Sequence, residues 1–191
     1  MLKMRLHYNA PVVLTFTLMC TAVRLLADVS GGRILPYFTI YPHSDPFTVM
    51  YYLRYFTYAM GHIDWQHLLG NMSFILLLGP MLEEKYGPRK MVLMILVTTL
   101  TTGLLNNLLF NSSLMGASGI VFMFIILSSF ANVKDKEIPL SFILVVVLFI
   151  GNEVYTAIKD VDNISQFAHV LGGICGSLFG FSFKGKKLNT E

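Results

Sequence analysis

The sequence has few charged residues, and this shortage excludes most classes of soluble protein. Charged side chains make up 13% of the 191 residues, whereas a soluble domain carries about a quarter. The hydrophobic share is 54% and the mean hydropathy is +0.63. We therefore expect an integral membrane protein with several spans, in contact with membrane lipids. The formal net charge of +3 is too small to indicate a nucleic-acid partner, and we expect none.

Cysteine is scarce as well. Cys20 and Cys175 both lie in apolar runs, and neither has a CxxC neighbour or a second ligand at metal spacing. Isolated cysteines in apolar runs are typical of buried free thiols. The sequence also lacks an HExxH motif, which a common class of zinc enzymes requires. We expect neither a metal nor another cofactor.

Six apolar runs are candidates for membrane-spanning helices, which need about 20 mostly apolar residues each. They cover residues 10–26, 62–82, 91–109, 117–131, 138–157 and 164–183. The charged stretch 83–90, which includes Gly87 and Pro88, separates the second run from the third and predicts a turn there. We expect an all-α fold in which residues 1–191 form one six-helix transmembrane domain. Lys3 and Arg5 before the first run resemble the start of a signal peptide, but no convincing cleavage site follows, so we expect a retained span. Arg24, near the end of that span, is expected to snorkel to the membrane interface.

The segment between the first two runs, residues 27–61, is too broken to cross a membrane. It contains a Gly-Gly pair, three prolines and many Tyr and Phe residues. Aromatic residues at this density, with little charge, are typical of a membrane interface. We expect a loop with short helices that lie half-embedded among the lipid headgroups.

The distribution of Lys and Arg predicts the orientation. With six spans, ten of the 14 Lys and Arg residues share the side of both termini, and four lie on the other side. Because cytoplasmic loops carry the excess of these residues, we expect both termini in the cytoplasm. The loop before residue 117 then faces the extracytoplasmic side. The bare six-span architecture is typical of a bacterial protein of the plasma (inner) membrane.

The stretch Gly116-Ala117-Ser118-Gly119 places a serine between glycines, where a polar loop meets the fourth apolar run. The glycines leave space for a backbone or a substrate to approach the hydroxyl. A helix that begins there presents unpaired N–H groups beside Ser118, which can hold an oxyanion. For the tetrapeptide alone, the simpler interpretation is a capping serine beside small packing residues.

The fourth run is short for a membrane span. A helix over residues 118–131 is about 21 Å long, against a hydrocarbon core of about 30 Å. Either the loop before Ser118 dips into the protein, where polar backbone can line a cavity, or the helix continues beyond Ala131.

Polar side chains inside the spans occur at one depth. His62, His67 and Asn71 open the second run, Ser118 opens the fourth, and His169 lies near the outer end of the sixth. His67 and Asn71 are four residues apart and therefore share one helix face. Polar residues are costly in a membrane and are candidates for function.

A stripe of small residues supports a meeting of the fourth and sixth runs. Gly172, Gly176 and Gly180 follow His169 at intervals of three and four residues. Such a stripe lets two helices approach closely, so it can pack against the start of the fourth run. The imidazole of His169 would then lie within hydrogen-bond reach of the Ser118 hydroxyl, as a general base must.

Together these motifs resemble those of the rhomboid family of intramembrane serine proteases. The resemblance rests on Gly116-x-Ser118-Gly119, on Ala168-His169-x-x-Gly172-x-x-x-Gly176 and on His62-x4-His67-x3-Asn71. It extends over all six spans in order and includes Leu53-Arg54 in the outer loop. It implies an endopeptidase that hydrolyses peptide bonds in or near the transmembrane helices of membrane-protein substrates.

The resemblance also implies roles for individual residues. Ser118 is expected to be the nucleophile and His169 its general base, in a dyad without a third carboxylate. His67, Asn71 and the Ser118 backbone N–H are expected to face the oxyanion. The other expected members of the site are His62, Gly116, Gly119, Phe122 and Gly172.

Two positions depart from the family pattern. Leu53 stands where the family usually has Trp, which bears on the anchoring of the outer loop and not on the chemistry. Phe122 stands where the family commonly has Tyr packed on the histidine, and we expect the phenyl ring to keep that contact.

Other classes of function fit parts of the sequence. The main alternative is a non-catalytic rhomboid-like scaffold that binds membrane proteins, although such relatives typically lack the Ser or the His. A metal enzyme or transporter would have to use His62, Asp64, His67 and His169 as ligands, without a recognised zinc motif. Glu153, near the outer end of the fifth run, has no role in any of these interpretations.

Overall fold

The chain folds into helices, as the computed structural model shows for residues 7–130, 138, 140–151 and 164–183. The helices are α1 (Pro11–Val29), α2 (Val49–Thr57), α3 (Trp65–Tyr86), α4 (Pro88–Leu109), α5 (Ser118–Ser128), α6 (Leu140–Val145) and α7 (Ile164–Ser182). A π-helical turn, Val146–Ile150, extends α6. These ranges contain no β-strand, and their one isolated β-bridge joins Ile40 to Leu114. The all-α prediction is confirmed.

α5 forms the centre of the molecule. All its residues from Gly119 to Leu127 are buried, because α3, α4 and α7 pack around it. With 11 residues it is about 16 Å long, shorter than the predicted 117–131. The helix ends at Ser128, so the alternative in which it continues beyond Ala131 is wrong.

Two helices in the described part of the chain, α1 and α4, have both the length and the hydropathy of a membrane span. The expected spans at 62–82 and 164–183 correspond to α3 and α7. Of the expected span 138–157, α6 and its π-helical turn cover residues 140–150, and Glu153 lies outside the described residues. The six-span count stays a prediction.

The junction between α3 and α4 is tighter than the charged turn that the sequence suggests at residues 83–90. Only Gly87 separates the two helices, with φ of 83°. Glycine accepts this backbone conformation without strain. Pro88 follows as the first residue of α4, where its missing N–H costs no helical hydrogen bond. The two residues together define the break.

The last turn of α3 carries two buried charged residues that form hydrogen bonds with other parts of the chain. Glu83, 3% exposed, accepts hydrogen bonds from the backbone N–H groups of Val12 and Val13, each at 3.0 Å. A carboxylate there satisfies unpaired donors of α1 and interacts favourably with the helix dipole. Lys85 is also buried and donates to the carbonyl of Phe130, beyond the end of α5. The end of α3 is thus hydrogen-bonded to both α1 and the chain after α5.

Replacing Glu83 by alanine should destabilise the protein by about 2–4 kcal/mol, because two N–H groups lose a charged acceptor. Glu83→Gln keeps one acceptor oxygen, and we expect roughly half that loss. Unfolding midpoints in mixed detergent micelles measure the difference. Glu84, exposed on the same turn, gives the control, since Glu84→Ala should change stability by less than about 0.5 kcal/mol. Equal destabilisation by the two alanine variants would contradict this role.

Arg24 is buried against other parts of the chain and is not extended away from them, as a snorkelling side chain would be. The residue is 7% exposed, and its Nη1 donates to the carbonyls of His62 at 3.0 Å and Ile63 at 2.6 Å. Its Nη2 pairs with Asp28. The guanidinium finds these oxygen acceptors inside the protein and does not need the interface. Without the buried Arg24 and Lys85, the Lys and Arg distribution is nine against three, and it predicts the same orientation.

The aromatic segment folds into short helices, as expected. It contains two 3₁₀ turns, Leu35–Phe38 and Tyr58–Met60, on either side of α2. Arg54 of α2 anchors it, because Nε donates to the Pro36 carbonyl at 2.9 Å and the guanidinium lies over the Tyr41 ring at 5.3 Å. Leu53 is exposed. The loop is therefore held through Arg54 despite the departure at Leu53.

Candidate active site

Ser118 is the first residue of α5 and does not cap it. Ala117 occupies the N-cap position, and no side chain caps this helix. Val121 N donates to the Ala117 carbonyl at 3.0 Å, so the N–H groups of residues 118–120 have no partner within the helix. The capping-serine interpretation is therefore wrong. The half-buried Ser118 side chain lies beside backbone donors.

Gly116 brings the loop before Ser118 against α3. Its φ is 124°, a conformation that strains L side chains. A Cβ there would lie 2.7 Å from Cε1 and 2.8 Å from Nε2 of His67, and 3.8 Å from Nδ2 of Asn71. Glycine is therefore needed for both the backbone conformation and the close contact. His67 and Asn71 therefore border the loop that leads into Ser118, and their predicted role toward the oxyanion stays a prediction.

Backbone hydrogen bonds fix this loop to the outer segment. Leu114 and Ile40 exchange two of them, at 2.9 and 3.0 Å, and Gly116 N donates to the Tyr58 carbonyl at 3.0 Å. The side chain of Met115 packs against Gly61, where an added Cβ would meet its Cγ at 2.8 Å. The loop before Ser118 is therefore held on two sides.

His62 orients the amide of Asn71. His62 is 0% exposed, and Asn71 is 8% exposed. The Nδ1 of His62 faces the Met60 carbonyl at 3.3 Å, and its Nε2 faces Asn71 Nδ2 at 3.0 Å. A carbonyl only accepts, so Nδ1 carries the proton, and the neutral ring then accepts at Nε2 from an Asn71 N–H. The second N–H of that amide is left for another acceptor.

His67 is placed by the start of α3. The Asp64 side chain caps the helix by accepting from His67 N at 2.7 Å. The rings of His67 and His62 pack edge to face, with centroids 5.0 Å apart. Because α3 begins at Trp65, His67 and Asn71 lie one turn apart on one helix face.

His169 of α7 stacks on Phe122 of α5. The ring centroids are 4.1 Å apart and the planes differ by 7°, so the contact expected of Phe122 is confirmed. Phe122 lies one turn after Ser118 on the same helix. His169 therefore contacts the turn of α5 that follows Ser118. The chemical roles of Ser118 and His169 stay predictions.

The glycine stripe of α7 packs on α5, as predicted from its spacing. A Cβ at Gly172 would overlap the carbonyl of Gly119. One turn on, a Cβ at Gly176 would lie 2.6 Å from the Met123 carbonyl oxygen. A Cβ at Gly119 itself would lie 3.4 Å from the Ala168 carbonyl oxygen. The backbones of α7 and α5 are therefore in direct contact close to His169 and the start of α5.

Gly172→Ala should destabilise the protein by about 1–3 kcal/mol, because the added methyl group must push α7 away from the Gly119 carbonyl. Gly70 is the matched control, since it lies in α3 with nothing within 4 Å of an added Cβ. Gly70→Ala should leave stability unchanged or raise it, because alanine is the better helix former. The measurement is the unfolding midpoint in mixed micelles. A Gly172→Ala protein as stable as the wild type would show that the close contact is absent.

A polar column on α4 is a feature of the site that the sequence analysis missed. Its members Thr98, Thr99, Thr102 and Asn106 are all buried. Thr102 is next to the serine's helix, with Oγ1 3.4 Å from a Cβ placed at Gly119. The signal was present, because Thr98, Thr102 and Asn106 recur every four residues and thus share one face of the third apolar run.

Comparison with known proteins decides the family. The sequence profile described as "Rhomboid domain" matches residues 50–186 of this chain. The chain belongs to the rhomboid family. Its relatives include the rhomboid protease GlpG of Haemophilus influenzae, 23% identical over 186 residues that cover 94% of both chains.

Two further relatives match over shorter stretches. The rhomboid protease GlpG of Klebsiella pneumoniae is 28% identical over 116 residues, 61% of this chain and 42% of that protein. Rhomboid-related protein 1 of Caenorhabditis elegans is 32% identical over 139 residues, 67% of this chain and 39% of that protein. This rhomboid protein therefore spans less than half the length of these two relatives. The predicted membership of the family is confirmed.

Proposed function

We propose that this rhomboid protein is an intramembrane serine endopeptidase that hydrolyses peptide bonds in or near the transmembrane helices of membrane proteins. Ser118 is the nucleophile and His169 the general base. The observation that carries the proposal is the packing of α7 on α5, with His169 stacked on Phe122 and Gly172 against Gly119. Acyl transfer needs a base within reach of a serine at a helix start, and this packing supports that arrangement.

The chemistry follows from the groups around Ser118. The hydroxyl attacks the scissile carbonyl while His169 takes its proton, and His169 then gives that proton to the leaving amine. The acyl-enzyme forms on Ser118 Oγ. Water, deprotonated by His169, then releases the carboxylic acid and restores the serine.

The donors for the oxyanion lie beside Gly116, on the side of Ser118 that is next to α3. Asn71 gives one N–H to His62 and keeps the other for the developing charge. The Ser118 backbone N–H, unpaired within the helix, is a second donor, and His67 borders the same space. Donors fixed in place before the reaction stabilise the transition state more than the ground state.

The substrate class and the topology belong to the same proposal. A helix in lipid hides its carbonyl groups in hydrogen bonds, so a substrate helix must unwind locally before attack. We expect substrates with Gly or Pro in their outer segments, entry between the second and fifth spans, and small residues at the cleavage site. The protein is a single six-span domain of the plasma (inner) membrane, with cytoplasmic termini and a site open to the extracytoplasmic side.

Cleavage of a reporter in proteoliposomes tests this function. The reporter is a single-span helix with Gly and Pro in its outer segment, and the matched control has Leu at those positions. We expect cleavage of the reporter with Gly and Pro and no cleavage of the Leu control. A fluorophosphonate should block this cleavage, and EDTA should not affect it. Loss of cleavage with EDTA and its return with Zn²⁺ would instead indicate a metal enzyme. A folded protein that cleaves neither reporter would be the non-catalytic scaffold.

A further inference from the structure

Arg24 lies on α1, five residues before its end at Val29, and is hydrogen-bonded to the segment that precedes α3. One nitrogen, Nη1, donates to two consecutive carbonyls, those of His62 at 3.0 Å and Ile63 at 2.6 Å. The next residue, Asp64, caps α3. Residues 62–64 are therefore fixed by an arginine from one side and by the helix cap from the other.

Arg24 forms an ion pair with a residue at the protein surface. Its Nη2 pairs with Asp28 one turn further along α1. The second carboxylate oxygen of Asp28 accepts from the indole N–H of Trp65 at 2.8 Å. The Arg24 side chain is 8% exposed and that of Asp28 is 44% exposed, so the guanidinium is inside and its counter-charge lies at the protein surface. A buried cation with such a partner holds its position much better than one that is unpaired.

The tethered segment acts on one catalytic side chain. His62, whose carbonyl Arg24 binds, uses Nε2 to accept from Asn71 Nδ2 at 3.0 Å. In the described part of the chain, Asn71 is the only side chain with which that imidazole shares a hydrogen bond. A shift of the His62 backbone therefore rotates the amide of Asn71 and moves its second N–H. That amide lies 3.8 Å from a Cβ placed at Gly116, on the side where the oxyanion forms.

We propose that Arg24 is a positioning residue, which sets the direction of the Asn71 amide through His62 and so prepares the oxyanion side for reaction. The inference rests on the proposed function of the site. Arginine is needed at this position because its planar fork serves two carbonyls and a carboxylate together. A lysine offers a single nitrogen and cannot reproduce that geometry.

A double-mutant cycle in the reporter assay tests the inference. Arg24→Lys keeps the charge, and we expect kcat to fall about tenfold with KM changed less than about twofold, as for a misplaced transition-state contact. In an Asn71→Ala background, the same substitution should lower kcat less than about twofold, because its target is gone. A tenfold fall in both backgrounds would overturn the inference. Arg33→Lys, at an exposed arginine, is the control and should leave both constants unchanged.

A second variant and a second readout keep the test decisive if Arg24→Lys folds poorly. Asp28→Asn leaves the carbonyl bonds of Arg24 in place, and we expect a fall in kcat of about two- to threefold. In asparagine-labelled protein, the Asn71 side-chain amide resonance should shift in both variants and stay in place in Arg33→Lys. An unshifted resonance in both would overturn the inference. A wild type that cleaves no reporter would count against the proposed function, whereas active variants with unchanged kcat would count against Arg24 alone.

Discussion

Ser118→Ala is expected to abolish hydrolysis of the reporter, with kcat lowered by about 10⁴-fold or more, because the acyl-enzyme forms on the Ser118 hydroxyl. The fold should be retained. The side chain caps no helix, and alanine is the best helix former for the first turn of α5. The measurement is single-turnover cleavage of the Gly- and Pro-containing reporter, beside an unfolding midpoint that shows the variant is folded.

Ser128 provides a matched control for this substitution on the same helix. Its hydroxyl donates to the Ile125 carbonyl at 2.7 Å, within the last turn of α5. Ser128→Ala is the same substitution at a position far from His169. The rate of reporter cleavage should stay within about twofold of the wild type. Cleavage by Ser118→Ala at a rate close to that of Ser128→Ala would end the assignment of the nucleophile.

Asn71→Ala is expected to lower kcat by about 10²- to 10³-fold, the effect of removing one oxyanion donor. Most of the loss should be in kcat and little in KM, because the second N–H of Asn71 meets charge that develops only in the transition state. His62 loses its hydrogen bond to Asn71, so a modest loss of stability accompanies the change. Initial rates over a range of reporter concentrations separate the two constants.

Asn107 is the control for Asn71. It lies on α4, where its Nδ2 donates to the hydroxyls of Tyr51 at 3.2 Å and Tyr55 at 2.8 Å. Asn107→Ala removes a comparable pair of hydrogen bonds from the outer loop, and kcat should stay within about threefold of the wild type. Equal losses in the two variants would mean that Asn71 acts through the fold and not on the oxyanion.

Local spacing was sufficient to predict the contact between the serine and histidine helices. The small residues after His169 recur at helical intervals, and such a stripe can be read without knowledge of the fold. The structure places Gly172 on Gly119, as that spacing implies. The stacking of His169 on Phe122 was expected from the family resemblance and not from the spacing. The start of α5 at Ser118 followed from the change from polar loop to apolar run.

The two buried charges could not be predicted in the same way. Arg24 binds carbonyls 38 and 39 residues away, and Glu83 binds backbone N–H groups 71 and 70 residues away. The local sequence around a charged residue near the end of an apolar run does not show whether its side chain will snorkel or bind a distant acceptor. Only the packing of α1 on α3 decides between these outcomes, and packing over such separations leaves no periodic signal.

The helix ends differ from the prediction for a more local reason. The charged stretch 83–90 suggested a turn, yet Glu83 and Lys85 are satisfied inside the protein and α3 continues to Tyr86. Gly87 and Pro88 then determine the break. Their conformational preferences predicted its position better than the charges did.

The measurement that tests the central claim most directly is the site of modification by a fluorophosphonate. Purified wild type, Ser118→Ala and His169→Ala are treated in detergent, and the labelled peptide is identified by mass spectrometry. The account predicts one adduct, on the peptide that contains Ser118, in the wild type alone. An adduct that survives in Ser118→Ala, or a folded wild type without any adduct, would contradict it.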